Sequence, residues 1–151
     1  MRLLIVEDDD DKRRRICDAV AEMVGDVTIV EAKSLNGGLR LVSAERFGAV
    51  LLDMAMPSFD IGIDEDGGRP QAFAGRELML HMEEAGLDVP VVVLTQYEQF
   101  GEGAESLTLD ELDRSLSGDY AAYVGTIFYN AASEVWKQQL RSVLERIRVG
   151  R

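Results

Sequence analysis

Apolar residues follow two rhythms along this chain, and the rhythms alternate. Residues 3–6 are apolar at every position and stop at Glu7. Ile16, Cys17, Ala19, Val20, Met23 and Val24 then recur at the spacing of a helix face. The exchange repeats downstream. Residues 27–30 read as a second strand, and Leu35, Leu39 and Val42 mark a second helix behind Ser34, a candidate N-cap. Residues 49–52 form a third strand that runs into Asp53. Leu78, Met82 and Ala85 give a third helix, and Pro90 introduces the fourth strand, Val91-Val92-Val93-Leu94. Leu109, Leu112 and Leu116 mark a short helix between Thr108 and Gly118. Residues 120–128 are rich in β-formers, and Val135, Trp136, Leu140, Val143, Leu144 and Ile147 close the pattern with an amphipathic helix.

Strands that are apolar throughout, rather than at every second residue, need cover on both faces. Five strand–helix pairs therefore predict an α/β fold with a five-stranded parallel sheet, doubly wound by right-handed crossovers. Two stretches break the rhythm. Residues 58–74 are Gly-rich and acidic, and residues 96–106 are polar with Gly101 and Gly103. Both are expected as expanded loops over the strand ends, acting as lids, partner-reading segments or plain insertions.

Composition narrows the function classes. A length of 151 residues fits one domain, 1–151, and 46% hydrophobic with 29% charged residues is a globular balance. The formal net charge of -12 repels nucleic-acid phosphates and anionic lipid, so neither nucleic acid nor membrane is an expected partner. The single cysteine, Cys17, can form no internal disulfide, which points to a reducing, cytoplasmic setting. No apolar run reaches the length of a membrane span, and the first residues turn acidic too soon for a signal peptide.

In doubly wound sheets, ligands bind at the carboxyl ends of the strands, where the strand order reverses. That rule gathers Glu7, Asp8 and Asp53 at one edge, with Thr95 and residues 126–129 beside them. Crowded carboxylates raise one another's pKa, and a divalent cation relieves the conflict. Mg²⁺ takes a few carboxylates, several waters and a phosphate oxygen. Asp53 is then suited to act as a nucleophile that forms an aspartyl phosphate, with the Thr95 hydroxyl placed for a phosphoryl oxygen.

The residues at these strand ends resemble the receiver domain of two-component response regulators over essentially the whole chain. Val6-Glu7-Asp8 matches the acidic pair after the first strand, and Arg13 falls where an early-helix arginine is common. Leu51-Leu52-Asp53-Met54-Ala55-Met56-Pro57 matches the phosphoacceptor motif. Gly75-Arg76-Glu77-Leu78 resembles the opening of the third helix, and residues 89–95 match the fourth strand with its switch hydroxyl. Tyr123 resembles the aromatic switch residue of the fifth strand.

This resemblance implies a (βα)5 flavodoxin-like sandwich in which Asp53 accepts phosphate from a histidine kinase or phosphotransfer protein. Asp8, Asp53, the Ala55 carbonyl and, largely through water, Glu7 would hold Mg²⁺ (or Mn²⁺). Thr95 would move onto the phosphate and Tyr123 would turn into the vacated space. Output would be contact with a downstream protein, with a homodimer allowed through the fourth-helix to fifth-helix face. The chain would be a signalling domain rather than an enzyme, limited to phosphorylating itself from a donor and dephosphorylating itself.

One position departs from the family. Its fifth strand normally ends in Lys followed by Pro. Counted from Tyr123, those places are Thr126 and Ile127, and the next cation along the chain is Lys137 in the last helix. The expectation is a pocket short of its ammonium, with slowed or altered phosphorylation, unless Arg69 or Arg76 reaches over. The same gap supports a second reading, a pseudo-receiver adaptor that binds partners without regulated phosphorylation. A haloacid-dehalogenase-type phosphatase wants a second acid two residues after its nucleophile, where this chain has Ala55. Asp64-Glu65-Asp66-Gly67 fails as a calcium loop, because Gly62 and Phe73 stand where acids are needed. His81 has no ligand partners nearby in sequence, Cys17 and Trp136 read as packing, and the basic run 12–15 either meets an acidic partner or balances the acids before it.

Overall fold

The first strand, β1 (Arg2–Val6), pairs in parallel with both β2 (Thr28–Ala32) and β3 (Ala49–Leu52), which makes it an interior strand. Its apolar run has the two covered faces that its composition demands. In this computed structural model, which describes residues 1–57, 73–101 and 103–150, β4 (Val91–Thr95) and β7 (Tyr123–Phe128) complete a parallel sheet of order β2-β1-β3-β4-β7. The order reverses between β1 and β3, as the doubly wound prediction requires. β7 is the fifth strand of the sequence reading; β5 (Gln99–Phe100) and β6 (Leu107–Thr108) form a separate antiparallel pair.

Side chains alternate across the sheet and divide the core in two. Leu4, Val6, Val50, Leu52 and Val93 face α2 (Leu35–Ala44), α3 (Ala74–Glu84) and α4 (Leu109–Asp119). Leu3, Ile5, Leu51, Val92, Leu94 and Ile127 face α1 (Asp10–Met23) and α5 (Val135–Val149), where they meet Ile16, Val20, Trp136, Leu140 and Leu144. Each buried aliphatic side chain of this kind stabilises the fold by about 1.5–3 kcal/mol relative to exposure.

Helix boundaries follow local chemistry. Asp9 caps α1 by accepting from the Lys12 N–H at 2.9 Å, and Ser34 caps α2 by accepting from the Gly37 N–H at 3.1 Å. Thr108 and Glu111 form a reciprocal capping box at the start of α4.

Two expectations change in the folded chain. Residues 120–122 are not strand: Tyr120 closes α4 with its N–H on the Leu116 carbonyl, and β7 begins only at Tyr123. The stretch 96–106 is largely built structure. Its β5–β6 pair and the 3₁₀ turn Gly103–Glu105 bring Phe100 into the core, with Gly101 and Gly103 at positive φ. β7 carries a bulge, since Val91 pairs with Tyr123 but Val92 with Gly125. The extra residue resets which β7 side chains face the core, and it turns Ile127 inward. Most of the expected loop at 58–74, including the rejected calcium-loop motif, lies outside the described residues.

Candidate functional site

β1 and β3 end side by side, with Val6 opposite Leu52 and the Asp53 N–H donating to the Val6 carbonyl at 3.1 Å. The next residues of each strand, Glu7 and Asp53, are thereby buried to 2% exposure at the carboxyl edge of the sheet. Asp8 lies nearer solvent, and carboxylate oxygens of Glu7, Asp8 and Asp53 all come within 4.8 Å of one another. Local donors hold two of these groups. The Met54 N–H reaches Asp53 Oδ1 at 2.7 Å, and the Asp9 N–H reaches Glu7 Oε2 at 3.1 Å.

The residue that the sequence reading missed is Lys12. Its side chain is 3% exposed and its ammonium sits inside the acid cluster. Nζ donates to Asp53 Oδ2 at 3.0 Å, to the Leu94 carbonyl at 2.9 Å and to Gln96 Oε1 at 2.8 Å. Those bonds use all three of its protons. Glu7 Oε1 lies only 2.5 Å away, yet it lacks a hydrogen bond of good geometry. We read that contact as charge attraction from an ammonium whose protons already point elsewhere.

A cation in the first turn of a helix opposes the helix dipole. The two acids compensate: burial works against the Lys12 charge, but Asp53 and Glu7 outweigh it and leave its pKa above the ordinary lysine value. Burial pushes Glu7 up to about 8, with Lys12 pulling it down and Asp53 pushing it further up.

A signal for Lys12 does exist in the sequence. Lys12, Ile16, Ala19 and Val20 occupy one buried stripe of α1, so the lysine extends the apolar face by a turn toward the strand ends. Arg13, beside it, serves the frame rather than the pocket. It donates to the Glu7 carbonyl at 2.9 Å and to Glu31 at 3.0 Å, and it pairs with Asp10.

Thr95 is fully buried at the end of β4, and its hydroxyl oxygen accepts from the Tyr97 N–H at 3.1 Å. Tyr97 is itself half exposed above it. Ala55 lies two residues beyond Asp53, in the segment that leaves β3.

The expectation for Tyr123 is corrected. Tyr123 is the first residue of β7 and pairs with Val91 at the start of β4, whereas Thr95 pairs with Phe128 at the other end. At about 3.3 Å per residue, that separation is roughly 15 Å, too far for the ring to turn in behind Thr95. Its hydroxyl is held instead by Asp113 of α4 and by Thr126.

The count that put the family lysine at Thr126 fails for the same reason, because the strand runs on to Phe128. The position just beyond the strand end is Tyr129, whose N–H donates to the Thr95 carbonyl at 2.8 Å. The Tyr129 ring centroid stands 5.5 Å from Lys12 Nζ. Of the two arginines considered as substitutes, Arg76 turns toward α4, donating to Ser115 and Asp119, and Arg69 lies outside the described residues. His81 bonds Ser43 on the α2–α3 surface at 2.9 Å, apart from the acid cluster.

An all-oxygen cluster of buried and half-open carboxylates is the donor set of a hard divalent ion, so these residues fit Mg²⁺. Glu7 Oε1 already faces one cation, the Lys12 ammonium at 2.5 Å, so a metal ion or its water would share or take over that contact.

No protein-family model matches the chain. It is 29% identical over 143 residues to the Detocs response regulatory protein DtcB of Enterobacter cloacae (strain JD6301), covering 93% of this chain and 95% of that protein. Among solved structures, it superposes with a TM-score of 0.63 on the N-terminal domain of a response regulator/sensory box/GGDEF three-domain protein from Carboxydothermus hydrogenoformans. That match has 20% identity and covers 99% of this chain and 95% of the other. This chain has the response-regulator receiver fold. The response regulator protein TrrA of Thermotoga maritima, solved in complex with Mg²⁺-BeF, matches with a TM-score of 0.61 and 16% identity, over 94% of this chain and 97% of TrrA. Within the receiver fold, the acid cluster lies where β1 and β3 end, and the lysine that meets it comes from α1 rather than from the fifth strand.

Proposed function

We propose that this chain is a response-regulator receiver that accepts a phosphoryl group on Asp53 and signals through protein–protein contacts. The observation that carries the reading is the pocket itself. A buried Asp53 stands at the end of an interior strand with Glu7 and Asp8 beside it and a buried ammonium at 3.0 Å. Glu7, Asp8, Asp53 and the Ala55 carbonyl would hold Mg²⁺ (or Mn²⁺). That ion, when bound, neutralises charge on the phosphoryl group being transferred. Asp53 supplies the nucleophilic oxygen, and the Met54 N–H fixes the carboxylate plane through its other oxygen. Thr95, fully buried at the end of β4, would supply a hydroxyl for a phosphoryl oxygen. The donor would be a histidine kinase or phosphotransfer protein and the output partner another protein, in the cytoplasm. A homodimer through the α4–α5 side remains compatible with the exposed Val124 and Val135.

The test is intact mass after incubation with Mg²⁺ and acetyl phosphate or phosphoramidate, beside Asp53→Asn. A phosphate-sized gain in the parent, absent from the variant, is the expected result. A specific observation favours the second reading, a pseudo-receiver adaptor: Lys12 already pairs with Glu7 and Asp53 and offsets one of the cluster's negative charges without a metal. No mass gain from the small donors or a candidate kinase, with Mg²⁺ binding demonstrated, would establish that reading instead.

A further inference from the structure

We propose that Lys12 is the phosphoryl-oxygen ligand of this receiver, supplying from the first turn of α1 the ammonium that the fifth strand lacks. The inference rests on Asp53 being the phosphoacceptor and goes beyond it by assigning the cation of the site. Three observations carry it. Lys12 Nζ lies 3.0 Å from Asp53 Oδ2, so a group built on that carboxylate arrives within its reach. Two further bonds, to the Leu94 carbonyl and Gln96, anchor the ammonium at the end of β4 rather than leaving it on a free arm. Tyr129 fills the place beyond the fifth strand, and its ring faces the ammonium at 5.5 Å.

Among the described residues, Lys12 is also the only cation in salt-bridge contact with Glu7 and Asp53; Arg13 pairs with Asp10 and Glu31, and Lys137 with Glu134.

The transfer balances without a proton from Lys12. An Asp53 oxygen forms a bond to phosphorus as the donor's P–N or P–O bond breaks. The electron pair leaves with the donor, which takes any proton it needs from solvent. Lys12 exchanges a protein oxygen for a phosphoryl oxygen and stays charged throughout.

The experiment compares phosphorylation rates from phosphoramidate, in saturating Mg²⁺, for the parent chain, Lys12→Met, Lys12→Gln and Lys12→Met/Tyr129→Lys, with folding checked by circular dichroism. Losing one preorganised stabiliser of the transferring group predicts a rate about 10²-fold lower in Lys12→Met. The double variant, with its ammonium returned at the end of β7, is expected to recover at least tenfold of that loss. Should Lys12→Met not fold, Lys12→Gln keeps an N–H donor for the Leu94 carbonyl and carries the same comparison. A parent that takes phosphate on Asp53 while both single variants react at the parent rate overturns the role of Lys12 and leaves the phosphoacceptor reading standing. A parent that takes no phosphate overturns both.

Discussion

Removing the Lys12 ammonium should cost the metal-free protein a large part of its stability, and the loss should depend on pH. Lys12→Met leaves the buried carboxylates of Glu7 and Asp53 without their cation and the Leu94 carbonyl without a donor. Breaking a buried ion pair from one side costs about 3–5 kcal/mol. Glu7 sets the pH dependence. Its folded pKa is raised from an ordinary 4.5 to about 8, first by burial. A raised carboxyl pKa means that the folded state holds the proton more tightly than the unfolded chain. The stability tied to that proton is complete below about pH 4.5 and is lost as pH climbs through about 8, on the order of 3 kcal/mol between pH 5 and 8.

Without Lys12, which pulls the Glu7 pKa down, the decline should steepen and extend above pH 8. The assay is urea unfolding in EDTA at pH 5, 6.5 and 8, followed by fluorescence of the buried Trp136. Lys12→Met should be weakest at pH 8 and recover on adding Mg²⁺, by an amount that grows with the logarithm of its concentration. In an Asp53→Asn background the same substitution should cost about 2 kcal/mol less, the signature of a direct pair. Equal costs in both backgrounds, or a loss under about 0.5 kcal/mol at pH 8, would refute the reasoning.

Other outcomes follow from single contacts. A Cβ at Gly75 would lie 2.9 Å from Met54 Sδ and 3.1 Å from the Asp53 carbonyl, so Gly75→Ala should lower stability by roughly 1–3 kcal/mol in a thermal melt. Gly118, within α4 and with nothing within 4 Å of its would-be Cβ, should instead gain up to about 1 kcal/mol on Gly118→Ala. Burial, with Glu31 adding to it, pushes the Cys17 thiol up to about 12. Its alkylation at pH 8 should therefore run about 10³-fold slower than that of a free thiol, and a rate near the free-thiol value would contradict the assigned environment. Tyr123→Phe removes the hydroxyl bonded to Asp113 and Thr126 but lies at the far end of β7 from the acid pocket. It should leave the phosphorylation rate within twofold of the parent, and a tenfold change would restore Tyr123 to the switch.

The sequence by itself determined the sheet. Runs such as Leu3-Leu4-Ile5-Val6 and Val91-Val92-Val93-Leu94 have no polar face, so only an interior parallel strand satisfies them, and the residues that end those strands follow at once. Glu7, Asp8, Asp53 and Thr95 were legible for that reason. Position along β7 was not legible, because β-formers are scattered from Tyr120 to Phe128, and Ala121-Ala122 and Gly125 are only weak local marks of its start and its bulge. The tertiary pairing decided both, and with them it moved Tyr123 away from the site and brought Tyr129 to the strand end.

Lys12 belongs to the same class of tertiary decision. Read locally, it is one of several charges in an acidic–basic run at a helix start. Its role depends on α1 packing over β1, β3 and β4 so that the long side chain spans to Asp53, Leu94 and Gln96, residues 41 to 84 positions away. Periodicity fixes which face of a helix is buried. Only the packed structure fixes what a charged residue on that face meets, since a buried ammonium is stable solely where the surrounding fold supplies oxygen atoms for all of its protons.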